Sequence, residues 1–181
     1  MKYMIAGDIH GSAGYCGIMA DCFEKENADR LLLLGDLLYH GPRNDLPDGY
    51  APKKCIEILN GLKDNIMCVR GNCDAEVDQM VLDFPIMAEY LLLDSGKKPV
   101  YVTHGHHFNP SSPFKGVRNY ILLTGHTHIP AKESCGDFIY INPGSVSIPK
   151  NGSCHSYMTL EDGLFEWKNL LDMKVYDSLK I

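Results

Sequence analysis

Short apolar runs recur along the first half of the chain, and each ends in a polar residue. Tyr3–Ala6 leads into Gly7-Asp8, Leu31–Leu34 into Gly35-Asp36, and Ile66–Val69 into Arg70-Gly71-Asn72. Runs that are apolar throughout, with no alternation, predict strands buried on both faces. Between them lie helical stretches, one from about Ser12 to Asn27 and one from Pro52 to about Leu62. Proline suits the first turn of the second, where no backbone N–H is needed. Residues 39–51, rich in Gly, Pro, Asn and Asp, predict a loop.

The second half is richer in strands. Met87–Leu93 and Pro99–Thr103 flank Asp94-Ser95-Gly96, and Tyr157–Leu160 and Leu164–Trp167 flank Asp162-Gly163, two hairpin signals. Ile121–Thr124 runs into Gly125-His126, and Phe138–Ile141 into Asn142-Pro143-Gly144. An α/β half joined to a strand-rich half predicts two sheets packed face to face with helices outside. The chain has no internal repeat, low-complexity segment or linker, so residues 1–181 are expected to form one domain.

Strand ends carry the candidate chemistry. Asp8, His10, Asp36, Asn72, His104, His126 and His128 each follow an apolar run, and ligands in α/β sheets gather beyond the carboxyl ends of strands. Two carboxylates, one amide oxygen and four imidazoles are too many donors for one tetrahedral zinc. They suit two ions that share a carboxylate. Mixed nitrogen and oxygen donors favour Mn, Fe, Zn, Ni or Co over Mg or Ca, with Mn expected. Two divalent ions against two carboxylates leave a positive centre even with a bound hydroxide, which attracts an anionic phosphoester.

Charge and composition narrow the partners. A net charge of -6 lacks the basic footprint of a nucleic-acid-coating protein, yet bound metals can reverse the local field. The opening MKYMIAGDIHG lacks a charged stretch followed by an apolar run, so no signal peptide is expected, and no apolar run approaches the ~20 residues that span a bilayer. Seven cysteines without a CxxC pair predict a reduced, cytoplasmic chain with mostly buried thiols. The expected partner is a small phosphoester, and a homo-oligomer stays open.

With Gly7-Asp8-Ile9-His10, Gly35-Asp36, Gly71-Asn72, His104-Gly105 and Gly125-His126-Thr127-His128 in order, the chain resembles the calcineurin-like metallophosphoesterases. The resemblance runs from Asp8 to about Ser156. Gly71-Asn72-Cys73-Asp74 and Tyr39-His40-Gly41-Pro42-Arg43-Asn44 resemble the small cytosolic bacterial and archaeal phosphodiesterase branch. It implies a four-layer α/β/β/α sandwich of two mixed sheets flanked by helices. It also implies one ion on Asp8, His10 and His128, a second on Asn72, His104 and His126, and Asp36 bridging them. The ions would lie roughly 3.5–4 Å apart, and a bridging hydroxide would attack phosphorus in line.

Cys73 stands where many family members carry His, a residue implied to assist the transition state or protonate the leaving oxygen. Asn72 and Cys73 are thus the candidate catalytic residues, although a thiol is a poorer acid than an imidazolium. Cys73 as a small packed side chain is an equal reading, and His40 and His106 are unplaced substitutes. Arg70 and Arg43 are candidate substrate contacts, each weighed against a structural ion pair or an interface role. A phosphomonoesterase, a nuclease, or a non-catalytic scaffold like the small retromer coat subunit are the alternatives.

Overall fold

The computed structural model describes residues 1–181. Its elements in order are β1 (Tyr3–Ala6), α1 (Ala13–Lys25), β2 (Arg30–Leu33), α2 (Pro52–Gly61), β3 (Ile66–Cys68), α3 (Glu76–Gln79) and β4 (Leu91–Asp94). They continue as β5 (Pro99–Val102), β6 (Tyr120–Leu123), β7 (Ala131–Ser134), β8 (Phe138–Asn142), β9 (Ser156–Glu161), β10 (Leu164–Asn169) and β11 (Val175–Lys180). One sheet has the order β11-β10-β9-β1-β2-β3 and the other β4-β5-β6-β8-β7. Each is mixed around a parallel triplet, β1, β2 and β3 in the first and β5, β6 and β8 in the second. A parallel triplet delivers three carboxyl ends to one edge, so the two sheets together present six chain exits there.

The apolar runs divide their side chains as strands buried on both faces should. Ile5, Leu32 and Leu34 join Val100, Val102, Ile121, Leu123 and Ile141 in the core between the sheets. Met4, Ala6, Leu31 and Leu33 face the other way, against Cys16, Met19 and Phe23 of α1 and Cys55 and Leu59 of α2. Truncating one inter-sheet side chain, as in Leu32→Ala, costs roughly 3 kcal/mol because the surroundings collapse only partly into the void.

These are the two mixed sheets flanked by helices that the resemblance implies. Over the far side of the second sheet, Phe114 and Val117 of the irregular segment 105–119 pack on Tyr120, Leu122, Phe138 and Tyr140. The sequence misses β7 and β11. Both are edge strands with mostly exposed residues, so their apolar signal is weak. The run at 87–93 pairs only from Leu91 onward, because the segment before it crosses between layers. Ile86 sits in the helix-side core and Leu93 in the inter-sheet core.

The hairpin at Asp162-Gly163 holds as expected. Both residues take positive φ, 48° and 74°, as a type I′ turn demands, and Glu161 pairs with Leu164.

A buried charge cluster fastens the end of α1 to the start of β1 and to β9 and β10 of the first sheet. Glu26 accepts from Lys2 Nζ at 2.7 Å, Lys168 Nζ at 2.9 Å and Tyr157 OH at 2.7 Å. Burial alone would raise the Glu26 carboxyl, but Lys2, Tyr157 and Lys168 overcome it and hold the group below its ordinary value. A depressed folded-state value means stability that is present above the unfolded value and lost as pH falls through the folded one. The thermal midpoint should therefore drop below about pH 4.3, the unperturbed Glu value. Glu26→Gln should lose roughly 3 kcal/mol at pH 7, since the two lysines are left facing a neutral group. Thermal unfolding from pH 3 to 7 checks both; equal pH slopes in wild type and variant would remove Glu26 from this role.

Candidate metal centre

All seven strand-end donors converge where the two parallel triplets exit. Asp8 and His10 follow β1, Asp36 follows β2, Asn72 follows β3, His104 follows β5, and His126 and His128 follow β6. Asp8, His10, Asp36, His104 and His128 are fully or almost fully buried, whereas Asn72 and His126 open toward solvent. His10 Nε2 lies 3.2 Å from His128 Nε2, which is 3.3 Å from Asp8 Oδ1. Across the site, His104 Nε2 lies 3.0 Å from Asn72 Oδ1, 3.2 Å from His126 Nδ1 and 3.4 Å from Asp36 Oδ2. Asp36 Oδ2 is also 3.6 Å from His10 Nε2, so it stands between the two groups.

The imidazole tautomers test whether a cation fits. His10 and His128 donate through Nδ1 to the carbonyls of Tyr39 (2.8 Å) and Ile148 (2.7 Å). With Nδ1 protonated in a neutral ring, both Nε2 atoms present lone pairs to each other, an arrangement that a shared cation makes favourable. Ions bound to N and O at about 2.0–2.2 Å place neighbouring donors about 3–3.5 Å apart, the spacing found here. The residues fit metal ions. Asp8, His10 and His128 form one candidate set, and Asp36, His104 and His126 another, with Asn72 beside the second.

The sequence profile of the calcineurin-like phosphoesterase superfamily domain matches residues 1–162. The chain belongs to that superfamily. The phosphodiesterase YfcE of Escherichia coli (strain K12) is 44% identical over 181 residues, spanning 100% of this chain and 98% of the relative. The solved structure of the E. coli phosphoesterase Yfce matches with a TM-score of 0.95, covering 100% of both chains. Vps29 from Entamoeba histolytica shares the fold at 22% identity and a TM-score of 0.64, covering 100% of this chain and 99% of its own.

Much of what holds this phosphoesterase's site together is absent from the sequence motifs. Ser145 Oγ donates to Asp8 O at 2.9 Å, and Ser147 Oγ donates to the same carbonyl at 2.9 Å and to Ile9 O at 2.7 Å. Asn142 Nδ2 donates to Gly125 O at 2.7 Å, which fixes the turn before His126. Thus the Asn142-Pro143-Gly144-Ser145 turn is structural, and its task is to hold the metal-competent loops. Asp74 is the most connected support. Its carboxylate accepts from the backbone N–H groups of Asp36 (2.8 Å), Leu37 (2.9 Å) and Gly71 (2.7 Å), tying the loop after β2 to the loop after β3. A Cβ on Gly71 would overlap the Asp36 carboxylate, so only glycine allows this close approach.

Backbone strain concentrates at the donors. Asp8, His10, Asp36, His126 and His128 hold φ of 58°, 49°, 55°, 68° and 62°, the left-handed region that such residues seldom occupy.

The remaining candidates separate. Arg43 lines the same cavity as Asp36, Asn72, Cys73, His126 and His128. Arg70 does not line it: its Nε donates to Asp74 O at 3.3 Å and its guanidinium lies 4.0 Å from Glu76, the ion-pair alternative. Cys73 is half-buried, its N–H donates to Asp36 Oδ1 at 2.8 Å, and its Sγ accepts from Asn72 Nδ2 at 3.2 Å. His40 packs edge-on against Tyr39 and Tyr50, and His106 lies against His107 and His104; neither lines the cavity.

Electrostatics follow from burial and the carboxylates. Burial lowers His10, and burial with the His104 charge lowers His126, so both favour the neutral, metal-ready form. Burial works against His104 as well, but Asp36 and Asp8 overcome it and raise the ring to about 9. Below that pH the metal-free protein keeps a proton on His104 that an incoming ion must displace. Ion affinity should therefore rise with pH up to about 9, with proton release measurable by calorimetry in buffers of different ionisation enthalpy. Binding without proton release at pH 7 would contradict this assignment.

Asp74→Asn turns one acceptor oxygen into a donor facing backbone N–H groups. It should weaken metal binding roughly 10- to 100-fold while keeping the fold. Metal titration alongside far-UV circular dichroism checks this, and unchanged affinity would show that the two loops hold themselves.

Proposed function

We propose that this phosphoesterase is a metal-dependent phosphodiesterase that works as one domain, with two divalent ions, most suitably Mn, in a reducing cytoplasmic setting. The observation that carries the reading is the pair of donor sets, with the His10 and His128 lone pairs facing one another and Asp36 standing between the two sets. The phosphodiesterase activity named for the E. coli relative, 44% identical along the whole chain, supports it.

Asp8, His10 and His128 would hold one ion, Asn72, His104 and His126 the other, and Asp36 both. When bound, the ions supply Lewis acidity at the phosphoryl oxygens and lower the pKa of a bound water. The chain's own residues do the rest. Asn72 orients beside the cavity, Arg43 draws the anionic substrate in, and the Asp74, Ser145 and Ser147 bonds keep the donors from moving as charge develops. A scaffold role fits less well, because every donor position keeps a metal-competent side chain and all converge. The cavity of about 300 Å³ suits a small substrate rather than a polynucleotide.

Leaving-group protonation is the weak step. Burial and the Asp36 charge push the Cys73 thiol up to about 12 in the metal-free protein, far from a useful acid. Mn should thus activate aryl diesters more than alkyl monoesters, since aryl leaving groups need little protonation. Faster steady-state turnover of alkyl monoesters would overturn this preference. Cys73→His should raise turnover selectively for poor leaving groups, by less than the ~10²-fold of an optimised general acid. Equal slopes of log rate against leaving-group pKa in wild type and Cys73→His would place position 73 away from the leaving oxygen. Asp36→Asn should weaken both ions; elemental analysis finding at most one ion per chain at saturating Mn would end the two-metal reading.

A further inference from the structure

The cavity over the donors is unusual in composition. Of its eleven lining residues only Cys73 is hydrophobic, and none is Phe, Tyr or Trp. Small-molecule pockets are ordinarily lined by apolar and aromatic groups, which grip a base, an acyl chain or an aryl ring. Such groups have nothing to rest on here.

Two cations face the cavity instead. Arg43 projects from the loop after β2 and Lys150 from the loop after β8, so they reach it from different sheets. Neither forms an ion pair with any carboxylate of the chain, although acidic residues outnumber basic ones. Both loops are pinned. Asn44 Nδ2 donates to His40 O at 2.8 Å, closing the loop that carries Arg43. Lys150 N–H donates to His128 O at 3.1 Å, which couples the lysine to a metal-competent residue.

We infer that Arg43 and Lys150 form a subsite for a second anionic group on the substrate, carried by the alcohol of the phosphodiester away from the scissile bond. This rests on the phosphodiesterase reading and narrows it to small, polar diesters whose second ester arm bears a carboxylate or a phosphate. Charge decides the point. Two divalent ions against Asp8 and Asp36 already leave the centre positive, enough for a singly charged diester. Arg43 and Lys150 add two positive charges that such a diester leaves unmatched. A further anion within reach satisfies them through charge-assisted hydrogen bonds.

The test uses Mn-loaded protein and p-nitrophenyl phosphodiesters whose second arm is ethyl, 2-carboxyethyl or 2-phosphonoethyl. The charged arms should raise kcat/KM roughly tenfold over ethyl, the scale of one charge-assisted hydrogen bond. The better of the two identifies the natural anion. Independent of turnover, calorimetry should find 2-carboxyethylphosphonate binding about tenfold more tightly than methylphosphonate. Lys150→Glu and Arg43→Ala should collapse both ratios toward one, with circular dichroism confirming the fold. Equal binding of the two phosphonates, or ratios unchanged in both variants, would overturn the subsite. Tight binding that depends on Lys150, with no diester hydrolysed, would keep the subsite and overturn the phosphodiesterase reading instead.

Discussion

Left-handed backbone at the donor residues is the constraint on which this structure turns. Asp8, His10, Asp36, His126 and His128 all hold positive φ, and a non-glycine residue in that region costs of order 1–3 kcal/mol. Those turns swing carboxylates and imidazoles inward from strands that would otherwise carry them past each other. Almost every polar bond around the site answers that cost. Asp74 accepts from three backbone N–H groups, Ser145 and Ser147 hold the Asp8 and Ile9 carbonyls, and Gly71 allows Asp36 to come close. The inter-sheet core lies directly beneath, and its Leu34 lends a carbonyl to His104 Nδ1 at 2.7 Å.

The donors were legible in the sequence because each sits immediately past an apolar run, where local pattern suffices. Cys73 and Arg43 were legible as members of loops next to donors, and both loops do reach the cavity. Arg70 was legible only as a choice between a substrate contact and an ion pair, since adjacency to Asn72 says nothing of side-chain direction, and it turns to Asp74 and Glu76. What escaped is the support. Ser147 acts on Asp8 from far along the chain, and Lys150 enters the cavity from the loop after β8, which carries no donor. Relations of this kind exist only once β8 lies beside β6 in the second sheet. Edge strands β7 and β11 escaped for a different reason, since their mostly exposed residues leave little apolar signal.

Division of labour between the sheets explains why the centre is both rigid and open. Asp8, His10, Asp36 and Asn72 leave the first sheet, while His104, His126 and His128 leave the second. Neither sheet alone assembles a full donor set. The shared apolar core that presses the sheets together therefore also sets the donor spacing, and a packing fault there would be felt as lost metal affinity. Burial is uneven within each sheet's donors, with Asp8 and His104 fully enclosed and Asn72 and His126 facing out.

The strand order of the first sheet has a consequence for synthesis. β1 lies between β2 and β9, so it is completed on one side by a strand made long after it. Until residues 156–161 emerge, one hydrogen-bonding edge of β1 stays open, a template for pairing with other chains. Ser145 and Ser147 arrive only slightly earlier, so Asp8 and His10 wait without the bonds that hold their turns. A nascent chain thus carries the metal-competent side chains of Asp8 and His10 before the serines that brace their turns exist. The turns that aim Asp8 and His10 are tied down only once the loop after β8 has been made.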